Sequence, residues 1–366
     1  DDFIRLNIKP EIIRDMVYRN HKADVTDKDG NFIFMGKKTI ATSIPVTEDF
    51  EIFDKKLSDY VKRGYSASEE KGSQALAIGF VMTIYRKLAA SSSLAIYQAL
   101  CNRLKKIQIK AAASIPEKNK EDQLDERYFG EWEETKFEEE NASKEFFEGE
   151  QILLEGLIKH ASRLIENDAK IKFLQENLIE KIFDQEHSKK ILIFTEYRVT
   201  QNYLKDSLEK RFGVNSVSLI NGSMSHAERD AAIKHFESSG LFLISTEAGG
   251  EGINLQRCCH VMINYDLPWN PMRLVQRIGR LYRYGQKNKV VVFNLHQPDS
   301  LDQKVIFSMY SKIDQIVLDL AKVQKNEYNE GLKEEILGDL STMLDMESIL
   351  NDLSKEGIDR TKERIE

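Results

Sequence analysis

Five short apolar runs between residues 190 and 295 constrain the fold of this chain more than any other feature of its 366 residues. Each run is bounded by turn residues, and residues 191–194 are all apolar. Strands buried on both faces of a parallel sheet have this continuous pattern. A helix-forming stretch at 198–212 separates two of the runs, which gives the β-α-β alternation of an α/β domain with helices on both faces of its sheet. The predicted strands are 190–195, 216–220, 241–245, 261–265 and 290–295.

Three glycines follow the strand at 241–245 and predict a loop with an unusual backbone. Gly249, Gly250 and Gly252 allow the backbone to approach another group closely, and the exposed amides of such a loop suit phosphate. A dinucleotide-binding loop of the Rossmann type has similar glycines, but it opens a long helix, whereas this loop leads to another strand within about ten residues. We therefore exclude a dinucleotide site and expect a phosphate-facing loop at the carboxyl edge of the sheet.

An arginine-rich helix is predicted after the strand at 261–265. Asn270 is a good N-cap, Pro271 suits the first helical position, and Gly285 is a typical stop. Guanidinium groups on one side of a helix repel each other unless an anion lies between them, and they pair well with phosphate oxygens. A solvated basic face is the competing interpretation from spacing alone. The arginines that recur every three or four residues are Arg273, Arg277, Arg280 and Arg283.

Three blocks within residues 244–286 resemble a known family. STEAGGEGINLQ, DLPWNP and QRIGRLYRYGQ follow the order and spacing of motifs V and VI in the SNF2-like group of superfamily 2 helicases, which are ATP-dependent nucleic-acid translocases. The resemblance implies that the α/β domain is a RecA-like parallel sheet, the C-terminal lobe of the helicase, preceded by a mainly helical region.

The resemblance also implies an ATP site that is shared between two lobes. Motif VI of this family supplies arginine fingers across a cleft, so the implied catalytic residues are Gln276, Arg280 and Arg283. The implied ATP-binding residues are Gly250, Glu251, Gly252 and Arg277. ATP and Mg²⁺ would be held mainly by a first lobe, because a P-loop and an acidic magnesium motif are needed and neither is found in the 366 residues. The GKKT run at 36–39 is not a P-loop, since no helix-forming run follows it.

Nucleic acid is the partner that the resemblance implies, with double-stranded DNA favoured and RNA left open. The run GSMSHAERDAAIKHF matches the family's block that contacts the nucleic-acid backbone, and Trp269 would couple DNA contact to ATP. Simple explanations compete with both: Ser225 and Glu228 form the pattern of a capping box, and Trp269 suits ordinary packing at a helix start. The implied nucleic-acid-binding residues are Thr195, Gly222, Ser223, Ser245, Thr246, Asn254 and Trp269.

The first 110 residues predict an inter-lobe helical region with short β segments. This region resembles, more loosely than motifs V and VI, the segment that joins the two motor lobes in bacterial members of the group, including those similar to the RNA polymerase recycling ATPase. A generic helical bundle is the alternative. The expected elements are extended segments at 31–35 and 38–46, a helix from Glu48, and helices at 73–90 and 93–109 capped by Ser73 and Ser93.

Acidic residues are concentrated in one segment. Residues 117–150 hold 14 acidic and 5 basic side chains, a net charge of -9, whereas the whole chain carries -7. The rest of the chain is therefore slightly positive, so the overall charge does not exclude nucleic acid. We interpret residues 111–149 as an acidic linker, and an autoinhibitory strip that mimics DNA is a less favoured alternative.

The RecA-like lobe is expected over residues 150–322, followed by a charged helical tail over 323–366. The lobe should begin with one long helix at 150–184 and end with an amphipathic helix at 300–322. Three cysteines and seven scattered histidines predict neither a disulfide framework nor a metal site. The chain also has no apolar run of about 20 residues, so we expect a cytoplasmic protein without a membrane partner.

Two functions from different classes remain. The first is the second motor lobe of a DNA translocase, in which case the chain is the C-terminal half of a longer motor and is inactive alone. The second is a non-catalytic RecA-like module that binds RNA polymerase or a partner in a defence complex. Gln276, Arg280 and Arg283 favour the motor, because an interaction module has no reason to keep arginines at finger spacing.

Overall fold

The computed structural model describes residues 33–70, 75–112, 145–185, 190–250, 252–269 and 271–298, with two further positions at 26 and 28. The predictions for the acidic linker between 113 and 144, the helix at 300–322 and the charged tail lie outside the described residues, as does the proposed cap at Ser73.

A six-stranded parallel sheet lies between two layers of helices, and it confirms the predicted α/β fold. The order across the sheet is β1-β6-β5-β2-β4-β3, and every neighbouring pair is parallel. The five predicted strands are present with slightly different bounds. The strands are β1 Lys37–Ser43, β2 Ile191–Phe194, β3 Val217–Ile220, β4 Phe242–Ser245, β5 Val261–Asn264 and β6 Val290–His296.

The sixth strand comes from the region predicted to join the lobes. β1 pairs with β6 over its whole length, from Lys37 opposite Val290 to Ser43 opposite His296, so this early segment is the edge strand of the sheet. The segment was correctly expected to be extended, but its place in this sheet depends on a partner far along the sequence. Residues 33–35, predicted as extended, are bends or irregular.

Four helices pack into a separate apolar core beside the sheet. They are α1 Glu48–Glu70, α2 Ala75–Ser91, α3 Ser93–Ala112 and α4 Glu150–Glu166. Their shared core includes Leu57 of α1, Val81 of α2, Ile96 of α3 and Leu157 of α4. The predicted helices of the joining region are confirmed, although the hydroxyl that caps α3 belongs to Ser92, which accepts a hydrogen bond from the Ala95 amide at 3.1 Å.

The single long helix predicted over 150–184 is wrong. α4 ends at Glu166, and Asp168 caps a new helical segment by accepting a hydrogen bond from the Ile171 amide at 3.0 Å. Because of this break the first half packs in the helical core and the second half packs on the sheet. The second half consists of α5 Ala169–Lys172, a π-helical segment Phe173–Ile179 and α6 Glu180–Gln185.

The helical core contains a buried ion pair between Arg103 of α3 and Glu150, the first residue of α4. The Glu150 side chain is fully buried and accepts hydrogen bonds from Arg103 Nε at 2.9 Å and Nη2 at 2.7 Å. It also accepts from the Tyr60 hydroxyl and from the Phe146 amide, both at 2.6 Å. Burial, and then the neighbouring Tyr85 and Glu150, raise the pKa of Tyr60 well above its usual value, so this phenol stays a donor.

Helices cover both faces of the sheet, as predicted. One face packs on the π-helical segment and on α7 Arg198–Phe212, which contributes Leu204 and Leu208. The other face packs on α8 His226–Ser238 through Phe236 and on α9 Pro271–Ile278 through Ile278. The predicted capping box of α8 is confirmed, with Ser225 and Glu228 bonded in both directions. In the described ranges, no helix has both the length and the apolar character needed to cross a bilayer.

Candidate functional site

The carboxyl edge of the sheet brings together the ends of β2, β4 and β5, but the predicted hydroxyls there are used inside the protein. Thr195 is buried and donates to Asp266 Oδ2 at 2.5 Å. Ser245 donates to the Thr246 carbonyl at 2.9 Å, and Thr246 Oγ1 accepts from the Gly249 amide at 3.3 Å. All three side chains are buried, and their binding to nucleic acid stays a prediction.

Close packing, rather than a ligand, accounts for two of the three glycines. A Cβ at position 249 would lie 2.5 Å from the Ile220 carbonyl oxygen, and one at position 250 would lie 2.8 Å from the Phe194 ring. The Gly250 amide donates to the Thr246 carbonyl at 2.9 Å, and its predicted contact with ATP stays a prediction. Gly252 is exposed with φ of 78°, whereas Glu251 lies outside the described residues.

Adding a methyl group at Gly249 is expected to destabilise the sheet domain, because the clashing atoms belong to the backbone. We expect Gly249→Ala to lower the free energy of unfolding by about 1–3 kcal/mol. Gly156→Ala is the matched control, since a Cβ there meets nothing within 4 Å. The control should be neutral or stabilise α4 by about 0.5–1 kcal/mol. Denaturant unfolding of both variants measures the difference, and equal midpoints would contradict the packing argument.

The arginine-rich helix is shorter than predicted. α9 ends at Ile278, and a series of tight turns follows to Gly285, which has φ of 90°. In these turns the Arg280 amide donates to the Arg277 carbonyl at 2.9 Å, a bond three residues back instead of four. The helix therefore carries Arg273 and Arg277 only, and the predicted N-cap Asn270 lies outside the described residues.

Arg277 is a buried cation that is paired within its own lobe, and its predicted contact with ATP stays a prediction. Its side chain is 1% exposed, and its Nε donates to Glu247 Oε2 at 2.8 Å. Its Nη1 donates to Asn264 Oδ1 at 3.2 Å and to the Asp266 carbonyl at 3.0 Å. Burial favours a lower pKa for Arg277, but Glu247, Asp266 and Glu196 outweigh it and raise the pKa, so the charge is permanent.

Carboxylates near two of the arginines thus offset part of the repulsion between guanidinium groups that was expected from the sequence. Glu247 neutralises Arg277, and Glu196 lies 3.6 Å from Arg273. Arg280 and Arg283 remain at the surface, half-buried, with Arg283 bonded to the side chain of Asn254. Gln276 is exposed on the last turn of α9. Arg280, Arg283, Asn254 and Gln276 form the accessible part of the candidate ATP-facing surface.

The loop after Gly252 lies against the turns that connect the end of α9 to Gly285. Gln256 donates to the Tyr284 carbonyl at 3.4 Å, next to the bond between Arg283 and Asn254. Asn254 was predicted to bind nucleic acid, but here its carbonyl oxygen holds the guanidinium of Arg283. One hydrogen bond therefore connects a residue predicted to bind nucleic acid, Asn254, with a residue predicted to act on ATP, Arg283.

A second accessible surface lies between β3 and α8. Ser223 is exposed and donates to Asn221 Oδ1 at 2.9 Å, while Gly222 is half-buried. Arg229 of α8 fixes this loop by donating to the carbonyls of Met224 at 3.1 Å and Gly222 at 3.0 Å. The loop is thus held in one shape beside the Gly249 turn, which packs on Asn221.

Trp269 lies apart from that loop, at the boundary with the helical core. It is half-buried, and the ammonium of Lys87 on α2 lies 5.0 Å from its ring centre. The competing prediction for Trp269 was ordinary packing at a helix start. That prediction did not include a contact with α2, because only the fold brings α2 close to Trp269.

Sequence reasoning missed two carboxylates that organise the site, Glu247 and Asp266. Asp266 is buried, and it accepts hydrogen bonds from Ser91 and Thr195 at Oδ2 and from the Glu196 amide at Oδ1. The available signal was positional, since each carboxylate follows an apolar strand by two residues at the carboxyl edge, where polar groups gather.

Comparisons with known proteins agree with this architecture. Residues 169–285 match the model of the helicase conserved C-terminal domain. The uncharacterized ATP-dependent helicase YqhH of Bacillus subtilis is 42% identical over 183 residues, which are 48% of this chain and 31% of that protein. A probable chromatin-remodeling complex ATPase chain of Oryza sativa subsp. japonica is 34% identical over 171 residues, 46% of this chain and 15% of that protein. The chain therefore matches less than a third of the length of these relatives.

A solved structure supports the fold. The Hef helicase domain of Pyrococcus furiosus aligns with a TM-score of 0.50 at 15% identity, covering 77% of this chain and 60% of that chain. At this identity the likeness concerns the fold alone. Residues 169–285 are therefore similar to the helicase conserved C-terminal domain, and the parallel sheet has the fold of a helicase lobe.

Proposed function

We propose that this chain supplies arginine fingers, Arg280 and Arg283, to ATP held by the first lobe of a nucleic-acid translocase. The observation that carries the proposal is a difference in burial among the arginines. Arg277 is buried and paired with Glu247, whereas Arg280 and Arg283 lie at the surface beyond the end of α9. Their position fits a partner group outside the lobe, and Asn254 keeps Arg283 oriented.

The residues present fit only part of a nucleotide site. Arg280 and Arg283 provide cations for the phosphates, and Gln276 is exposed next to them, but no cluster of three or more potential metal ligands exists in the part of the chain that the structure describes. Mg²⁺ would be held mainly by the first lobe, where it would neutralise phosphate charge. Arg280 and Arg283 would stabilise the charge that develops on the transferred phosphoryl group. Arg277 would hold α9 in place.

The proposed track is double-stranded DNA. Relatives named as chromatin-remodeling ATPases support this choice, and so does the loop at Gly222 and Ser223, which Arg229 holds by a hydrogen bond and in which Ser223 is exposed. Trp269 would connect the DNA-facing surface to α9. We place the protein in the cytoplasm, in agreement with three free cysteines at Cys101, Cys258 and Cys259.

The experiment that tests this function is an ATPase assay with and without nucleic acid. The 366-residue chain alone should show no stimulated hydrolysis, while a protein that joins it to a nucleotide-holding lobe should be stimulated by double-stranded DNA more than by single-stranded DNA or RNA. Robust stimulated ATPase by the chain alone would contradict the shared site. Stimulation by RNA alone would contradict the proposed track.

The alternative is a non-catalytic module that binds a protein such as RNA polymerase or a component of a defence complex. The exposed ring of Tyr284, 75% accessible beside Arg283, suits a protein contact as well as a nucleotide cleft. If the joined protein binds DNA but never hydrolyses ATP, this alternative replaces the motor.

A further inference from the structure

We propose that Ser91, in the helical region outside the matched helicase domain, is a positioning residue that holds the segment leading to the arginine fingers. The contacts that support this are the hydrogen bond from Ser91 to Asp266 and the packing of Lys87 on Trp269. The inference rests on the proposed function of Arg280 and Arg283, and it names the part of the chain that keeps them in place.

Asp266 depends on a donor from another part of the chain. It is 5% exposed, and a buried carboxylate costs free energy unless its oxygens accept hydrogen bonds. Thr195 and the Glu196 amide provide two bonds from within the lobe. The third comes from Ser91 Oγ at 2.6 Å, at the last residue of α2. Removing that hydroxyl leaves part of a buried charge unsatisfied.

The end of α2 is fastened to the lobe around this bond. The Lys170 ammonium donates to the carbonyls of Ala90 at 2.8 Å and Ser91 at 3.0 Å, where a cation is favourable because these carbonyls end the helix. Thr200 of α7 shares hydrogen bonds with Ser91 at 2.7 Å and with Ser92 at 2.8 Å. Because the single Ser91 hydroxyl proton goes to Asp266, Thr200 is the donor in its bond to Ser91, so the bond to Asp266 does not require Thr200.

The same helix holds both ends of the segment 266–269. Lys87 precedes Ser91 by four residues, so the two side chains lie on one side of α2. Ser91 fixes Asp266, and Lys87 packs on Trp269 at 5.0 Å. The Asp266 carbonyl in turn accepts from Arg277, which is part of α9. A displacement of α2 would thus reach α9, and the turns that carry Arg280 and Arg283, through bonds of this network.

The test uses Trp269 as a reporter. The chain has two tryptophans, so Trp132→Phe leaves Trp269 as the only one. In that background Ser91→Ala should shift the Trp269 emission to longer wavelength and increase its quenching by acrylamide. Thr200→Val is the matched control, because it has nearly the same shape and removes bonds to Ser91 and Ser92 but leaves the bond to Asp266. The control should keep the emission of the parent.

A kinetic measurement separates positioning from simple interface stability. In the protein joined to a nucleotide-holding lobe, Ser91→Ala should lower kcat about tenfold with little change in KM, because misplaced groups lose transition-state contacts first. Thr200→Val should not lower kcat. Asp266→Asn, which perturbs the same bond from the other side, should reproduce the Ser91→Ala emission, so the conclusion does not depend on one variant folding.

Three results would overturn the inference: unchanged Trp269 emission in both Ser91→Ala and Asp266→Asn, equal effects of Ser91→Ala and Thr200→Val, or a change in KM alone. The fluorescence needs no nucleotide, so it stands if Arg280 and Arg283 prove dispensable. Conversely, a normal Trp269 signal in both Ser91→Ala and Asp266→Asn would remove the positioning role without bearing on the role of Arg280 and Arg283.

Discussion

Replacing Arg280 and Arg283 with alanine, in a protein that joins this chain to a nucleotide-holding lobe, is expected to lower kcat for ATP hydrolysis by about a thousandfold or more. The reason is that both residues are partly exposed at the surface, where under the proposed function they would stabilise charge that develops during phosphoryl transfer. Steady-state ATPase with saturating DNA measures the loss. Binding of ATP should change much less than kcat, because the first lobe holds the nucleotide.

The controls use arginines with different surroundings. Arg211→Ala removes a surface arginine at the end of α7, where it pairs with Glu180 and Glu176, and should leave the rate unchanged. Arg277→Ala should also lower kcat, but together with the stability of the lobe, because it leaves Glu247 without its partner. An ATPase rate equal to the parent in the Arg280 and Arg283 variant would remove the fingers from the mechanism.

Replacing Glu150 with alanine is expected to lower the free energy of unfolding of the helical region by about 3–5 kcal/mol. Its carboxylate is fully buried and accepts hydrogen bonds from Arg103, Tyr60 and the Phe146 amide. The change would leave the Arg103 guanidinium buried without its counter-charge. Thermal or denaturant unfolding followed by circular dichroism measures the loss.

Glu155→Ala is the matched control, because this glutamate is exposed on the same helix. The control should shift the free energy of unfolding by less than about 0.5 kcal/mol. Replacing Arg103 and Glu150 together with apolar residues of similar size should recover much of the stability, because no buried charge then remains. If Glu150→Ala unfolds like the control, the pair does not hold the core.

Local patterns were sufficient to predict most of the sheet. The continuous apolar runs predicted every strand from β2 to β6, because a strand covered on both faces needs apolar side chains on both sides. The capping box at Ser225 was predictable for a similar reason, since all its atoms lie within four residues. The pairing of β1 was not predictable in this way, because its partner β6 is distant in sequence and three helices follow β1 directly.

The candidate site was predicted less completely than the fold. Spacing placed four arginines on one helix, but the helix ends at Ile278, so Arg280 and Arg283 lie in the turns that follow it. Spacing also could not distinguish Arg277, which carboxylates from three other segments neutralise, from Arg280 and Arg283, which stay at the surface. Gly249 and Gly250 show the same limit, because a glycine required by a neighbouring carbonyl or ring has the same sequence signal as one required by a phosphate.

The pairing of β1 with β6 has a consequence for the order in which the chain is made. During synthesis β1 leaves the ribosome before the four helices that follow it, and its partner β6 is completed only at residue 296. Until then the edge of β5 that β6 will cover is open. A fragment that contains only the matched region 169–285 would keep this edge open permanently, which favours association between molecules through unpaired backbone. The first strand in the described part of the chain and the last strand of the sheet thus close the domain together, after the helical region between them has already had time to fold.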